Sequence, residues 1–317
     1  MGDESRSNWS GGSAVAYRSL LFRGPEGTEP PTEAIRGWWL VKKFSVPFHD
    51  ARSVDDGPTL AALGMLAFAL TDVSHEALGH GLATLAVGGK AVLLTTCYFT
   101  SNGNFSRWIP AAGGLMNLAV GLGSLAALRW ISRLAPLGRY FLVLVAAFNL
   151  FFAFGYPAYS GIAQFGDWAA VTSGFEPQWL WRVLLVVVAV VGYYGSMKLL
   201  ARPLAVFAGT AGMPTGRPPD KARLKRITTI PYVAAMIIAC LAGALNPNGW
   251  RTMLTAGLPA AAAAFGLTQM DHFVGSIWGG ASQEVIGPMQ RSSRWILAAV
   301  VVLIFFVGVL GPGIRFP

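Results

Sequence analysis

Thr71-Asp72-Val73-Ser74-His75-Glu76-Ala77-Leu78-Gly79-His80-Gly81-Leu82 places two of the chain's four histidines, a glutamate and an aspartate inside an otherwise apolar run from Leu60 to Val87. Ionisable groups in such a run cost several kcal/mol unless they are paired, bound to metal or in contact with water. A cluster of this kind within a membrane span marks a functional site, and the rest of the chain is read outward from it.

Composition sets the setting. Of 317 residues 54% are hydrophobic and only 12% charged, and the mean hydropathy is +0.51. Apolar runs of 18 or more residues recur, which defines a polytopic membrane protein and excludes a soluble globule. The formal charge of +9 does not point to nucleic acid, because the basic residues sit in loops beside the apolar runs. Membrane lipids with anionic headgroups are the expected counterpart. Cys97 and Cys240 are far apart and Cys240 lies in an apolar run, so no disulfide framework is indicated. The first 58 residues are polar, with no pattern of a cleavable signal peptide.

Three regions follow. Residues 1–58 form a polar N-terminal segment: 1–35 are rich in Ser, Gly, Pro and Glu and expected to be poorly ordered, while Trp38, Trp39, Lys42 and Lys43 suit an interfacial anchor. Residues 59–170 hold a three-helix core, and 171–317 hold four further spans. The expected spans are 60–87, 109–129, 140–163, 179–199, 227–246, 252–270 and 295–312, giving an all-α architecture of seven transmembrane helices. The fifth and sixth are joined by a tight turn through Asn246-Pro247-Asn248-Gly249. Between the first two spans, Lys90 to Thr100 is β-branched and aromatic and ends at the turn signal Ser101-Asn102-Gly103-Asn104. A short β-hairpin near the membrane face is expected there.

Metal chemistry needs neutral imidazoles and carboxylates aimed at one point. The usual zinc helix has histidines four apart, but His75 and His80 are five apart. On a regular helix they diverge by roughly 140°. A π-bulge absorbing Ala77 or Leu78 would realign them, as would local unwinding at Gly79. A regular helix would instead line up Asp72, Glu76 and His80 in one polar stripe, able to bind metal or to conduct protons. Elsewhere, the second span opens Ile109-Pro110-Ala111-Ala112-Gly113-Gly114-Leu115-Met116-Asn117. The third carries Phe148-Asn149-Leu150-Phe151-Phe152 and is followed by Gln164-Phe165-Gly166-Asp167-Trp168. Small residues permit close helix approach, and Asn supplies amide hydrogen bonds between helices.

Together these segments resemble the site-2 protease family of intramembrane zinc metalloproteases. In that family a His-Glu-x-x-His helix is followed by a membrane-associated β-hairpin and a span opening Ala-Gly-Pro-x-x-Asn. A further span carries Asn-Leu-x-Pro and an Asp-Gly whose Asp is the third zinc ligand. The resemblance covers about residues 60–170. It implies a Zn2+ cofactor held by His75, His80 and Asp167, with Glu76 as general base and Asn117 as a hydrogen-bond donor to substrate or transition state. The implied partner is a transmembrane or membrane-proximal protein whose peptide bond is cut. The chain departs from the family in four places: one inserted residue in the zinc motif, Gly114 in place of the proline, Gly166-Asp167-Trp168 where Asp-Gly stands, and a longer spacing from Asn149 to Asp167.

Two other classes are compatible with the sequence: an inactive membrane scaffold or complex subunit that retains the fold, and a proton-coupled transporter using Asp72, Glu76 and His80. Four histidines cannot fill the clusters of membrane di-iron oxygenases, and a haem bridged to His272 would need a ligand near the opposite membrane face. His49, beside Asp50, is expected to be solvated.

Loop charge sets the orientation. The N-terminus and the even-numbered loops hold 19 of the Lys and Arg residues and the other face 5, which expects a bacterial inner membrane with the N-terminus in the cytoplasm. The first and third spans then run outward, so His75, His80 and Asp167 share one depth toward the extracytoplasmic side. In intact cells, Gly216→Cys should resist a membrane-impermeant thiol reagent, and labelling there would reverse the assignment.

Overall fold

The computed structural model describes residues 54–103, 106–131, 134–209, 219–277 and 285–317. The expected disordered stretch, the interfacial anchor and His49 lie outside these residues. Six helices among the described residues are long and apolar enough to cross a membrane: α1 Gly57–Ala86, α2 Trp108–Trp130, α3 Pro136–Ala163, α5 Gln178–Ala205, α6 Lys221–Ala244 and α8 Ser293–Leu310. A short helix α4, Asp167–Thr172, follows α3. The chain is an all-α polytopic membrane protein with one small sheet.

Helix α1 starts where the sequence provides an N-cap. Asp56 accepts from Thr59 N at 3.0 Å and from Thr59 Oγ1 at 2.7 Å, and a proline occupies the first turn. The same end is tied down by Asp55. Its buried carboxylate pairs with Arg223 of α6 at 2.9 and 3.1 Å and accepts the Met289 N–H at 2.7 Å. Arg223 also donates to the carbonyls of Gly209, Ile286 and Gly287, so four separate segments meet at one charge pair. Helix α3 packs between α2 and α5, while α1 packs on α6 and α8. Phe68 of α1 sits at the centre of the core, edge-on to Phe148, Phe152 and Phe306 at centroid distances of 5.8–6.1 Å.

The span expected at 252–270 takes a different form. Residues 250–277 make one helical run, α7, broken into a π segment Met253–Gly257, an α segment Leu258–Ala263, a 3₁₀ segment Ala264–Gln269 and an α segment Met270–Ile277. Pro259 supplies no N–H to the carbonyl of Thr255, four residues back. Tyr159 Oη donates to that carbonyl instead, at 2.9 Å. Tyr193 brackets the 3₁₀ segment in the same manner, donating to Ala263 O at 2.7 Å and accepting Gly266 N–H at 2.8 Å. The device recurs in α6, where Pro231 frees the carbonyl of Ile227 and the buried Tyr140 hydroxyl donates to it. Where no water reaches the backbone, each carbonyl released by a proline needs such a partner.

The expected hairpin is present, with its turn displaced. Strands β1 Lys90–Leu94 and β2 Phe99–Asn102 pair antiparallel with an irregularity between Ala91 and Leu93. Ser101 and Asn102 lie within β2, and the reversal falls at Thr95–Tyr98. There Thr95 Oγ1 accepts the N–H groups of Cys97 and Tyr98 and donates to Tyr98 O. Such a side-chain turn outcompetes the Asn-Gly signal downstream. A third strand, β3 Ile314–Arg315, returns after α8 to pair with β1, giving the order β2-β1-β3.

The proline–tyrosine arrangement is testable. Tyr140→Phe should lower stability by about 1–3 kcal/mol, because the Ile227 carbonyl is left buried and unpaired. In a Pro231→Ala background the restored N–H satisfies that carbonyl, and the same substitution should cost much less in detergent unfolding. An unchanged cost would show that the hydroxyl serves another purpose.

Candidate metal centre

The residue inserted between the histidines is absorbed by the backbone. Ser74–Gly81 is π-helical inside α1, with regular α-helix on both sides. Closure from i to i+5 stacks residues five apart on one face. The His75 and His80 rings therefore lie together, with centroids 4.8 Å apart and planes at 88°. The continuous stripe expected of a regular helix does not form: Asp72 lines a small inner cavity of about 40 Å³, whereas His80 lines the main cleft. Glu76 borders both.

Two close approaches hold the π turn against α2. A β-carbon at Gly79 would lie 2.6 Å from Gly113 Cα, so the helices touch backbone to backbone. A β-carbon at Gly113 would lie 2.6 Å from His75 Nε2 and 2.7 Å from His80 Cε1. Glycine at 113 is thus what lets both rings point inward.

The polar network fixes the ring tautomers. Asn149 Nδ2 donates to Val145 O at 2.9 Å and to Thr71 Oγ1 at 2.7 Å, leaving Asn149 Oδ1 to accept from Asn117 Nδ2 at 3.2 Å. Asn117 Oδ1 then faces His75 Nδ1 at 2.8 Å, and the imidazole N–H is the donor. His80 Nδ1 faces a backbone carbonyl, Ile109 O, at 2.7 Å and also donates. In neutral imidazoles both Nε2 atoms therefore carry bare lone pairs.

Those lone pairs converge on a carboxylate. Asp167 Oδ2 lies 3.0 Å from His75 Nε2 and 3.2 Å from His80 Nε2. Three acceptors at this range repel one another unless a cation lies among them, either added protons or a metal ion. The spacing suits a metal: ligands at ~2.0–2.1 Å in tetrahedral array stand roughly 3.3 Å apart. Histidines whose second nitrogen donates to an amide or backbone carbonyl are the usual support of such ligands. Asp167 is largely buried, which by itself would raise its pKa. The two imidazoles outweigh that, and its carboxyl is held well below the usual carboxylate range.

Glu76 completes the group. Its ligand atom and those of His75 and His80 lie within 4.8 Å of one another, and Glu76 Oε2 is buried with no hydrogen-bond partner among the described residues. The cleft in front has a volume of about 720 Å³ and is walled by Glu76 and His80, hairpin residues Tyr98 and Phe99, Asp167 of α4 and Thr255 of α7. Cys97 borders it too, and burial, with the Asp72 carboxylate nearby, pushes its thiol up to about 12.

The expected site residues His75, Glu76, His80 and Asp167 thus come together. Asn117 takes a different place: it is fully buried behind His75 and does not line the cleft, so the role of substrate donor does not fit it. Its carbonyl orients an imidazole instead. His272 is exposed on α7 beside Asp271 and takes no part. Sequence reading missed Tyr156 of α3, whose ring centroid is 5.7 Å from that of His75 and which borders the cleft. Its position in an aromatic-rich apolar span carried no signal separating it from packing residues.

Gly114 and Trp168, two positions where the chain differs from the pattern it resembles, meet in space: a β-carbon at Gly114 would lie 3.1 Å from the Trp168 indole, so the small residue at 114 makes room for the large one at 168. Comparison with known families, characterised proteins and solved structures finds no match to this chain.

The glycine contacts give a paired test on one helix. Gly113→Ala should lower stability by about 1–3 kcal/mol through overpacking against the two rings. Gly123→Ala, where a β-carbon meets nothing within 4 Å, should be neutral in thermal unfolding. Equal effects would mean that the rings do not lie against Gly113.

Proposed function

We propose that the chain is an intramembrane zinc metalloprotease of the site-2 protease type, hydrolysing a peptide bond of a transmembrane or membrane-proximal protein. The observation that carries this reading is the convergence of the His75, His80 and Asp167 lone pairs beside an unpartnered Glu76 carboxylate. His75, His80 and Asp167 would hold the ion. Zinc, when bound, supplies an acidified water and positive charge near the reacting carbonyl.

The chain's own residues do the remaining work. Glu76, with Oε2 buried and unpaired, accepts a proton from the attacking water and passes it to the leaving nitrogen. Asn117 and the Ile109 carbonyl hold the two imidazoles with Nε2 forward. Strand β2 places Phe99 nearly parallel to His80, 6.5 Å between centroids, and closes one side of the cleft. With the N-terminus in the cytoplasm of a bacterial cell, the cleft opens toward the extracytoplasmic side of the inner membrane.

Zinc content separates this reading from the others. The purified protein should carry about one zinc per chain, held tightly enough to survive gentle chelation. His75→Ala should lose it. Glu76→Gln should retain it while abolishing cleavage of a co-reconstituted single-span reporter, because an amide cannot take the water's proton. Zinc lost in Glu76→Gln but kept in His75→Ala would rule the reading out in favour of a site built on Glu76 and Asp72.

A further inference from the structure

We propose that Tyr156 is a catalytic residue, donating a hydrogen bond from its hydroxyl to the reacting carbonyl oxygen; the proposal rests on the metalloprotease reading above. Peptide hydrolysis puts negative charge on that oxygen as the water attacks, and a preorganised donor aimed at it is commonly the largest single protein contribution. The residue that the family resemblance assigns to this task, Asn117, is sealed behind His75 with its amide fully engaged. The position is therefore open.

Tyr156 fills it on three observations. The side chain is half-buried and borders both the cleft and the small cavity behind it, as Glu76 does. Its ring lies against His75, 5.7 Å between centroids, and stacks on Tyr159 at 6.1 Å with planes 11° apart, so its direction is fixed from both faces. Its hydroxyl abuts Gly166, where a β-carbon would fall 2.6 Å from Oη, and Gly166 adopts φ +86. The phenol has a proton to give, and its hydroxyl stands against the turn that carries Asp167.

Two other polar side chains bordering the cleft are engaged elsewhere. Thr255 Oγ1 donates to Arg251 O, and Asn248 Nδ2 donates to Tyr98 Oη. The neighbouring Tyr159 hydroxyl is committed to the Thr255 carbonyl. In the reaction the C–O bond to water forms and the C–N bond breaks. One water proton travels through Glu76 to the leaving nitrogen. Tyr156 keeps its proton throughout, and its hydrogen bond shortens while the charge is on oxygen.

The test needs no natural substrate. Full-length protein in detergent is loaded with Co2+, and acetohydroxamate is titrated while the visible cobalt bands are followed; its two oxygens stand in for the attacking water and the reacting carbonyl oxygen. Tyr156→Phe should bind cobalt with unchanged affinity and spectrum but bind acetohydroxamate about 10-fold more weakly, as expected for one lost hydrogen bond to a charged oxygen. Tyr159→Phe should leave hydroxamate affinity unchanged. Equal hydroxamate affinity in wild type and Tyr156→Phe overturns the inference alone. A fall in cobalt affinity matching the fall in hydroxamate affinity also overturns it, since the hydroxyl would then only position Asp167. Failure of the wild type to take up cobalt overturns the metalloprotease reading and the inference with it.

Discussion

One turn of π-helix decides what this protein can do. A regular helix through Ser74–Gly81 would send His75 and His80 to faces roughly 140° apart, with no third group able to bridge them. The wider turn brings both rings to one side at the cost of poorer backbone hydrogen bonding and of internal contacts across the helix. The local sequence gives that turn little help of its own: it contains two glycines, and its helix formers are confined to Glu76-Ala77-Leu78. What holds it is the neighbour, because Gly79 and Gly113 bring α1 and α2 to backbone contact. The imidazole N–H groups then bond to acceptors belonging to α2.

From that turn outward, the structure fixes directions by supplying acceptors of known orientation. Val145 O and Thr71 set Asn149, Asn149 sets Asn117, and Asn117 sets His75. Each step is a buried amide that can satisfy its neighbours in only one sense. The end of the network is a nitrogen lone pair aimed at Asp167, at a depth shared by the C-terminal halves of α1 and α3. Asp167 reaches it because Gly166 turns the chain sharply after α3. At the other end of α1, the Asp55–Arg223 pair performs a purely architectural task, with six hydrogen bonds joining separate segments.

Much of this was legible from the chain alone, and the reasons are physical. Hydropathy finds the long spans because only a helix can bury its backbone in lipid. The π turn is one of two ways to reconcile a five-residue spacing with one metal point, and depth in the membrane brings Asp167 to the histidines. Four things were not legible. Strand β3 has only two residues and depends on where α8 delivers the chain. The breaks in α7 depend on tyrosines from α3 and α5, which periodicity cannot see. Asn117 stands where the resemblance places a substrate donor, but its carbonyl turns to His75 because Asn149 holds the amide there. Tyr156 looks like any aromatic in an apolar span until its hydroxyl is placed beside Asp167.

The same accounting bears on the scaffold alternative. A membrane scaffold that only retained the fold would gain nothing from an unpartnered buried carboxylate, which costs a few kcal/mol in a site without compensation. Replacement of Glu76 by Gln or Leu would relieve that cost in one step. Replacement of either histidine would relieve the facing lone pairs. The chain keeps all four groups. It also keeps the glycine at 113 that no hydrogen bond requires and that only the two rings need. The five-residue spacing is taken up by the backbone, and Trp168 packs on Gly114. What the fold holds at a cost is the group His75, Glu76, His80 and Asp167, and neither the five-residue spacing nor the Gly114–Trp168 contact displaces it.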